Sequence, residues 1–584
     1  MTPTSLDTFA HVAPEIALVV AALVAYLGGA FLGLRHGWPV ALAGIAAALA
    51  LAGTQPSDGA VAASGGVVID AFSTFVRQAT LVLGALVALV QAGDLFAGAV
   101  TRGPGVHRGG TCEEAGTFLL LLAGLSLVGC AGDLVLLFAG LELVSIPTYV
   151  LLGLKRIDGR GQEAALKYFF LSLLASALFL YAIVCLYGIG GSTNLFKIAA
   201  RIRASDLSTG MALALVPAAL GLAAVGAAFR LAAVPMHFYA PDVYEGTGPG
   251  NAALLSTLPK VAGLVVLARL TALGIAPAAG PDAGTAGPAA AALLELAWQL
   301  LAILAAVTMT VGNVRALWQR NLRRLLACSS IAHAGYLLVG VAVAAAAAAT
   351  RAEPGPPAAG GDLASLWVGA LGGMSAALYY LATYAPATIG VFGALAYLGH
   401  RWPEWSSGDG PRPPREEITA VDDLDGLSAT NPFAAFAIAA FLLSLAGIPP
   451  LPGFWGKLSL AASALEVDWS VPLNVGGRRA WFVGLAIVLV VNAAIAAAYY
   501  LRVIAAMYFK ASKRAVQSDG GLAGGVAMLA CLALVAVVTV SPGQLFARAA
   551  LAGAAVSGTL PAASVDADPP RPARPAPDTD TVAR

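Results

Sequence analysis

Long apolar runs alternate along the chain with short polar or Gly/Pro-rich connections. A bilayer core about 30 Å thick needs roughly 20 apolar residues per helix, and on that rule about fourteen spans are expected. They begin near Pro14, Pro39, Phe72, Gly116, Asp133, Ala164, Met211, Asn251, Ala292, Arg324, Leu363, Asn431, Ala480 and Leu522. The run Leu363–Leu398 is overlong for one helix and predicts an extra turn or a tilt. The first run is too long, and too weakly basic at its start, for a cleaved signal peptide. The Pro-rich segment 561–584, which ends in PPRPARPAPDTDTVAR, reads as disordered.

Composition narrows this pattern to one class. Of 584 residues, 59% are hydrophobic and 11% charged, against about 25% charged in soluble domains. So few charges cannot coat several soluble domains, and an all-α polytopic membrane protein is the class that fits. A net charge of +1 gives no basic field for nucleic acid. Lys and Arg gather in alternate connections: Arg35; Arg102 and Arg108; Lys155, Arg156 and Arg160; Arg315, Arg320 and Arg323; Arg401, Arg412 and Arg415; Lys510, Lys513 and Arg514. The opposite set carries Lys197, Arg201 and Arg203, then Arg351, then Arg478 and Arg479. The richer set is expected to face the cytoplasm, which puts both termini on the opposite side of the membrane.

Redox chemistry has no place to sit in this sequence. Cys112, Cys130, Cys185, Cys328 and Cys531 are scattered, with no CxxC pair to seed an iron–sulfur cluster, a zinc cage or a disulfide framework. His237 and His333 are the histidines within apolar stretches, and they form no paired columns for haem. No GxGxxG follows a strand, so no dinucleotide site is expected. If the protein takes part in electron transfer, the electrons travel elsewhere.

Two apolar runs are interrupted by prolines: VPMHFYAP at Val234–Pro241 and GIPPLPG at Gly447–Gly453. Broken helices survive at membrane depth where the freed backbone is buried in protein or lines a polar cavity. A matched pair points to an inverted-repeat transporter, with a plain proline kink as the simpler alternative.

Charges inside the runs also need reasons, since one at a helix centre costs about 2.5–3.5 kcal/mol on insertion scales. Glu142 stands alone in LVLLFAGLELVSIPTYVLLGL, Arg230 in LGLAAVGAAFRLAAVP and Lys260 in ALLSTLPKVAGLVVL. Lys457 follows the second break, His237 occupies the first, and His333 lies in SSIAHAGYLLVG. Lys260 is too deep to snorkel easily to either surface. Lys167 and Glu163 sit near a basic connection and read equally as interfacial, while Glu295 and Arg502 read as span ends. Glu, Lys and His at mid-membrane without a metal cage form an inventory for moving protons. A free lysine titrates near 10.4, so one that exchanges protons near neutral pH must be held away from water.

These segments resemble the antiporter-like subunits of respiratory complex I. The similar stretches are GLELVSIPTYVLLG, EAALKYFFLSLLASALFLY, VPMHFYAPDVYEGTGPGNAALLSTLPKVAGL, NVRALWQRNLRRLLACSSIAHAGYLLVG and SLAGIPPLPGFWGKLSL, in family order from about Leu141 to Leu460. The wording H-x-Y-x-P-D-V-Y-E-G resembles the N-type subunit of bacterial NADH–quinone oxidoreductase rather than its M- and L-type relatives.

The resemblance implies N-terminal transmembrane helices over 1–115, antiporter-like halves over 116–280 and 281–515, and a last transmembrane helix over 516–560. It implies proton translocation through Glu142, Arg230, Lys260, Lys457, His237, His333 and Lys167, coupled to electron transfer from NADH to quinone elsewhere. NADH, flavin, iron–sulfur clusters and quinone would be bound by other subunits, and the neighbours would be M-type and small K-, J- and A-type membrane subunits. The family pattern has lysine where this chain has Arg230. Arginine does not release its proton in proteins, so Arg230 is expected as a fixed counter-charge to Glu142, with Lys260 and Lys457 as carriers. Two rival readings are a cation/proton antiporter-complex subunit of the same fold and a structural subunit whose proton path is dead.

Overall fold

A computed structural model describes residues 9–34, 36–55, 61–63, 66–93, 111–155, 158–204, 212–273, 288–350, 372–401, 416–468, 477–511, 516, 518 and 521–558. Within them the chain is a helical bundle with two small hairpins, Val61–Ala63 against Val67–Ile69 and His400–Arg401 against Glu416–Glu417. Eleven helices are long and apolar enough to cross a membrane. Three shorter apolar ones, Trp38–Gly53, Leu215–Leu231 and Pro432–Ala446, bring the described set to the fourteen spans the sequence predicts.

In chain order the N-terminal helices are α1 (Ala13–Phe31), α2 (Trp38–Gly53), α3 (Ala71–Gln91) and α4 (Thr111–Cys130). Asp70 caps α3 by accepting from the Ser73 amide, while Ser73 returns the bond, a reciprocal arrangement that satisfies two otherwise orphaned donors. Next come α5 (Leu134–Lys155), α6 (Gly159–Gly190), the short α7 (Leu195–Ala204) and α8 (Ala212–Leu231). Then follow α9 (Ala240–Gly246), α10 (Pro249–Ala272), α11 (Pro288–Trp318), α12 (Leu322–Thr350) and α13 (Gly373–Leu398). The last group is α14 (Leu427–Thr430), α15 (Pro432–Ala446), α16 (Pro452–Glu466), α17 (Arg478–Phe509), α18 (Leu522–Val540) and α19 (Pro542–Gly558).

One expectation is corrected, and two fall on residues outside the described set. Helix α13 begins at Gly373, and residues 363–371 of the overlong run lie outside the described residues. The expected single C-terminal helix is two, α18 and α19, because Ser541 leaves helical geometry and Pro542 offers no amide to continue the ladder. Residues 559–584 also lie outside the described set, and with them the expected disordered tail.

Both proline-rich segments break their helices. Helix α8 stops at Leu231, Ala232 takes a left-handed conformation, and a run of turns leads to α9. Helix α15 stops at Ala446, Gly447 closes it at φ +85, and α16 starts at Pro452. The second crossing needs glycine: a Cβ on Gly453 would stand 1.8 Å from the Ser444 carbonyl oxygen. Beside the first break, packed on α8, runs α10, whose membrane window is entirely buried. Helices α1, α6 and α17 instead turn faces of Leu, Val, Phe and Tyr outward, toward lipid or neighbouring protein.

Candidate functional site: a buried line of ionisable groups between two broken helices

A helix that stops inside protein leaves its last carbonyls without amide partners and with the negative end of its dipole exposed. Each break here is met by a lysine. Lys260 is completely buried, and its Nζ donates to the Leu231 carbonyl at the end of α8 (2.8 Å) and to the Ser330 carbonyl of α12 (2.6 Å). Lys457, also buried, donates to the Leu445 and Ala446 carbonyls at the end of α15, both at 2.8 Å. An ammonium has three donors, and these bonds account for two on each lysine. The Lys457 Nζ also stands 5.0 Å from the centroid of the Tyr336 ring, within cation–π range.

Polar side chains occupy the space between the lysines. Ser330 Oγ lies 3.1 Å from the Tyr384 hydroxyl and 3.3 Å from that of Tyr244. The buried His333 ring stacks on Tyr384 at 4.4 Å and is hydrogen-bonded at both nitrogens, Nδ1 to the Tyr380 hydroxyl and Nε2 to the Tyr500 hydroxyl at 3.0 Å. Tyr500 in turn bonds Ser329. Tyr336 packs edge-on against both His333 and Tyr380, which brings the ring network to Lys457. An imidazole with a phenol at each nitrogen can receive a proton on one side and release it on the other.

Upstream, Glu142 on α5 and Arg230 on α8 are brought together, with Arg230 Nη2 3.7 Å from Glu142 Oε1. The shorter bond to this carboxylate comes from Ser176 of α6 at 2.5 Å. Arg230 is buried and also reaches the Gly226 carbonyl and Ser145 Oγ, each at 3.4 Å. These contacts form a single long ion pair rather than a bidentate fork. Arg230 is the residue before Leu231, so the pair sits one peptide away from the carbonyl that holds Lys260.

The remaining two predicted residues are placed apart. Lys167 sits 2.7 Å from Glu163 and 2.8 Å from Asp242, and Arg324 bonds Asp242 and Glu245 at 2.9 and 2.7 Å. Together with Arg160 they line an open polar bowl of about 300 Å³. Helix α9 connects the bowl to the buried line, since Asp242 and Glu245 face the bowl while Tyr244 reaches Ser330. His237 lies half-buried in the first break, and its Nδ1 has no hydrogen-bond partner among the described residues. No hydrogen bond described here ties it to Lys260. Arg502 donates to the Leu317 carbonyl in the last turn of α11 and to the Gln319 carbonyl just beyond it, and Glu295 of α11 pairs with Arg478 at the start of α17.

Sequence reasoning did not single out the tyrosines, or a second set of buried charges that ties the N-terminal helices together and to α10. Arg77 and Glu15 pair at 2.5 Å, with further bonds from Arg77 to Gln55 and the His11 carbonyl. Asp70 and Arg269 pair at 3.5 Å, and Arg269 also donates to the Gly129 carbonyl. Breaking a buried pair from one side costs about 3–5 kcal/mol, whereas replacing both partners by apolar groups is often neutral. Arg77→Ala is therefore expected to lower the thermal unfolding midpoint of the detergent-purified protein sharply, and Glu15→Leu/Arg77→Met to recover most of the loss. Equal melting of the single and double variants would contradict this.

Comparison with known proteins fixes the family. The family described as NADH:quinone oxidoreductase/Mrp antiporter, TM matches residues 131–352 and 360–480, a stretch that contains both breaks and both docked lysines. The chain belongs to this family. It is 34% identical over 481 residues to NADH-quinone oxidoreductase subunit N of Anaeromyxobacter sp. (strain Fw109-5), covering 81% of each chain. It is 32% identical over 546 residues to subunit N of Methylobacterium nodulans, covering 92% of this chain and 96% of that one.

Among solved structures, a chain of respiratory complex I from Thermus thermophilus with bound Aureothin is 27% identical, with a TM-score of 0.64 and coverage of 92% of this chain and 99% of that one. A chain of the Mrp complex from Dietzia sp. shares the fold, with a TM-score of 0.69 at 21% identity over 94% of this chain and 97% of that one. The antiporter-like fold expected from the paired breaks is therefore the fold of this family member.

Proposed function

We propose that this chain is the N-type membrane-arm subunit of a proton-translocating NADH–quinone oxidoreductase and carries protons across the membrane. Electrons pass from NADH to quinone in partner subunits, which hold the NADH, flavin, iron–sulfur clusters and quinone. Among the described residues no group of three or more His, Cys, Asp and Glu could hold a metal ion. The observation that carries the reading is the pair of buried lysines, each donating to a carbonyl freed by a broken helix, with His333 and its tyrosines packed in the space between them.

In this reading the bowl around Lys167, Asp242 and Glu245 takes up protons, and Tyr244 and Ser330 lead them to Lys260. His333, Tyr380 and Tyr500 relay them to Lys457. Discharging either ammonium leaves an amine that can still donate to both carbonyls but takes the positive charge away from the helix end, so proton loss and the electrostatics of the break are coupled. Arg230 keeps its charge and biases Glu142, whose swing toward or away from it alters the field at Lys260. His237, in the first break, serves the same path from the side. The halves 116–280 and 281–515 act as two repeats, each contributing one lysine and one break, behind the N-terminal helices 1–115.

Glu142 also argues for neighbours. Its side chain keeps 27% of its surface exposed at mid-membrane depth, where a carboxylate facing hydrocarbon is costly. A partner membrane subunit covers it, which fits placement between the M-type and the small K-, J- and A-type subunits. The richer Lys and Arg connections put the bowl on the cytoplasmic side and both termini outside.

The test is the assembled complex in sealed vesicles. Acidification is expected on addition of NADH and a soluble quinone and absent without either. Proton movement driven by a Na⁺ or K⁺ gradient with no electron donor would instead establish the antiporter-complex reading.

A further inference from the structure

About two turns along α10 from Lys260, a narrow apolar crevice opens on the membrane face of the bundle, between α6, α8, α10 and α11. Leu186, Val216, Leu270, Leu300 and Leu304 form its walls, and Ile202 of α7 closes one end. The one polar side chain along it is Thr271, whose hydroxyl already donates to the Ala268 carbonyl at 2.9 Å. Water would find no unpaired group there, so the crevice suits hydrocarbon.

The end formed by α7 is chemically different. This ten-residue helix, LFKIAARIRA, buries Leu195, Ile198, Ala199 and Ile202 and exposes Lys197 and Arg201, four residues apart on the opposite side. It follows directly on the end of the membrane-crossing α6. An amphipathic basic helix at that level lies in the interface and attracts anionic headgroups. Arg201 is the residue next to Ile202, and Lys197 is five residues before it, a rise of roughly 7.5 Å. Both long side chains therefore start within about two turns of the apolar opening, on the exposed side of the helix that closes it.

We infer that this crevice is a binding site for an anionic phospholipid of the bilayer, with one acyl chain between α8 and α11 and the phosphate held by Lys197 and Arg201. Hydrocarbon walls and a basic rim are the two halves of that ligand's chemistry. The lipid would fill the seam where α11, the first helix of the second half, meets the first.

The purified assembly, delipidated in detergent, can be titrated with phosphatidylglycerol or phosphatidylcholine in mixed micelles and read by native mass spectrometry. Wild-type protein is expected to retain phosphatidylglycerol in preference to phosphatidylcholine. Each basic side chain near an anionic headgroup contributes roughly a factor of five, so K197Q/R201Q should weaken retention roughly 30-fold. A thermal unfolding midpoint equal to that of wild type verifies that this variant keeps its fold. A297W, which fills the crevice from α11, should lose the lipid with Lys197 and Arg201 intact. Equal retention by wild type and K197Q/R201Q, or equal binding of the two lipids by wild type, would overturn the assignment.

Discussion

Arg230→Ala is expected to reduce NADH-driven proton pumping by roughly tenfold or more, while Arg230→Lys keeps most of it. A buried charge deprived of its partner costs about 3–5 kcal/mol when fully desolvated. Glu142 retains its Ser176 bond and some exposure, so about half of that, roughly 2 kcal/mol, is the expected penalty. It is still enough to slow a charge-gated step by more than a factor of ten. Lysine at the same position keeps the positive charge, and its loss of two weak contacts at 3.4 Å, to Gly226 and Ser145, is minor. Pumping rates in vesicles, normalised to NADH oxidation, check the pair. Equal rates in the two variants would mean that the charge at 230 has no part in gating.

Lys260→Ala carries the largest expected effect, a loss of roughly a hundredfold in proton flux through this subunit. The change removes the ammonium at a site with no exposure and leaves the Leu231 carbonyl at the end of α8 without its donor, while the Ser330 carbonyl keeps its place in the α12 ladder. Orphaning a buried acceptor costs about 1–3 kcal/mol, so the break itself also relaxes. Lys260→Arg separates charge from chemistry. A guanidinium can meet the two carbonyls but does not release its proton, so assembly should survive while pumping falls. Pumping that survives in the arginine variant would remove Lys260 from the list of carriers.

Why some of this was legible in the sequence and some was not follows from contrast. Glu142, Arg230, Lys260 and Lys457 each stand alone in apolar text, where a single charge is conspicuous, and the structure gathers them along the two breaks. The breaks were readable because proline cannot continue a helix ladder. The tyrosines between the lysines were not readable, because Tyr244, Tyr380, Tyr384 and Tyr500 look like ordinary apolar filling until their hydroxyl partners are seen. Glu15 was hidden beside Pro14 at a span start, where an acidic residue suits the helix dipole and suggests no partner 62 residues away. Lys167 was ambiguous, and the structure sets it in the polar bowl rather than the buried line. The split at Ser541–Pro542 was missed although SPGQ interrupts the apolar text there, because apolar residues resume at Leu545.

The account rests on protons stepping along buried side chains in this subunit, and its most direct test is a stoichiometry. Protons moved per NADH oxidised are measured in sealed vesicles for the wild-type assembly and for Lys260→Ala at matched electron flux. The account predicts a lower ratio in the variant, by this subunit's share. An unchanged ratio in a correctly assembled Lys260→Ala complex would contradict it.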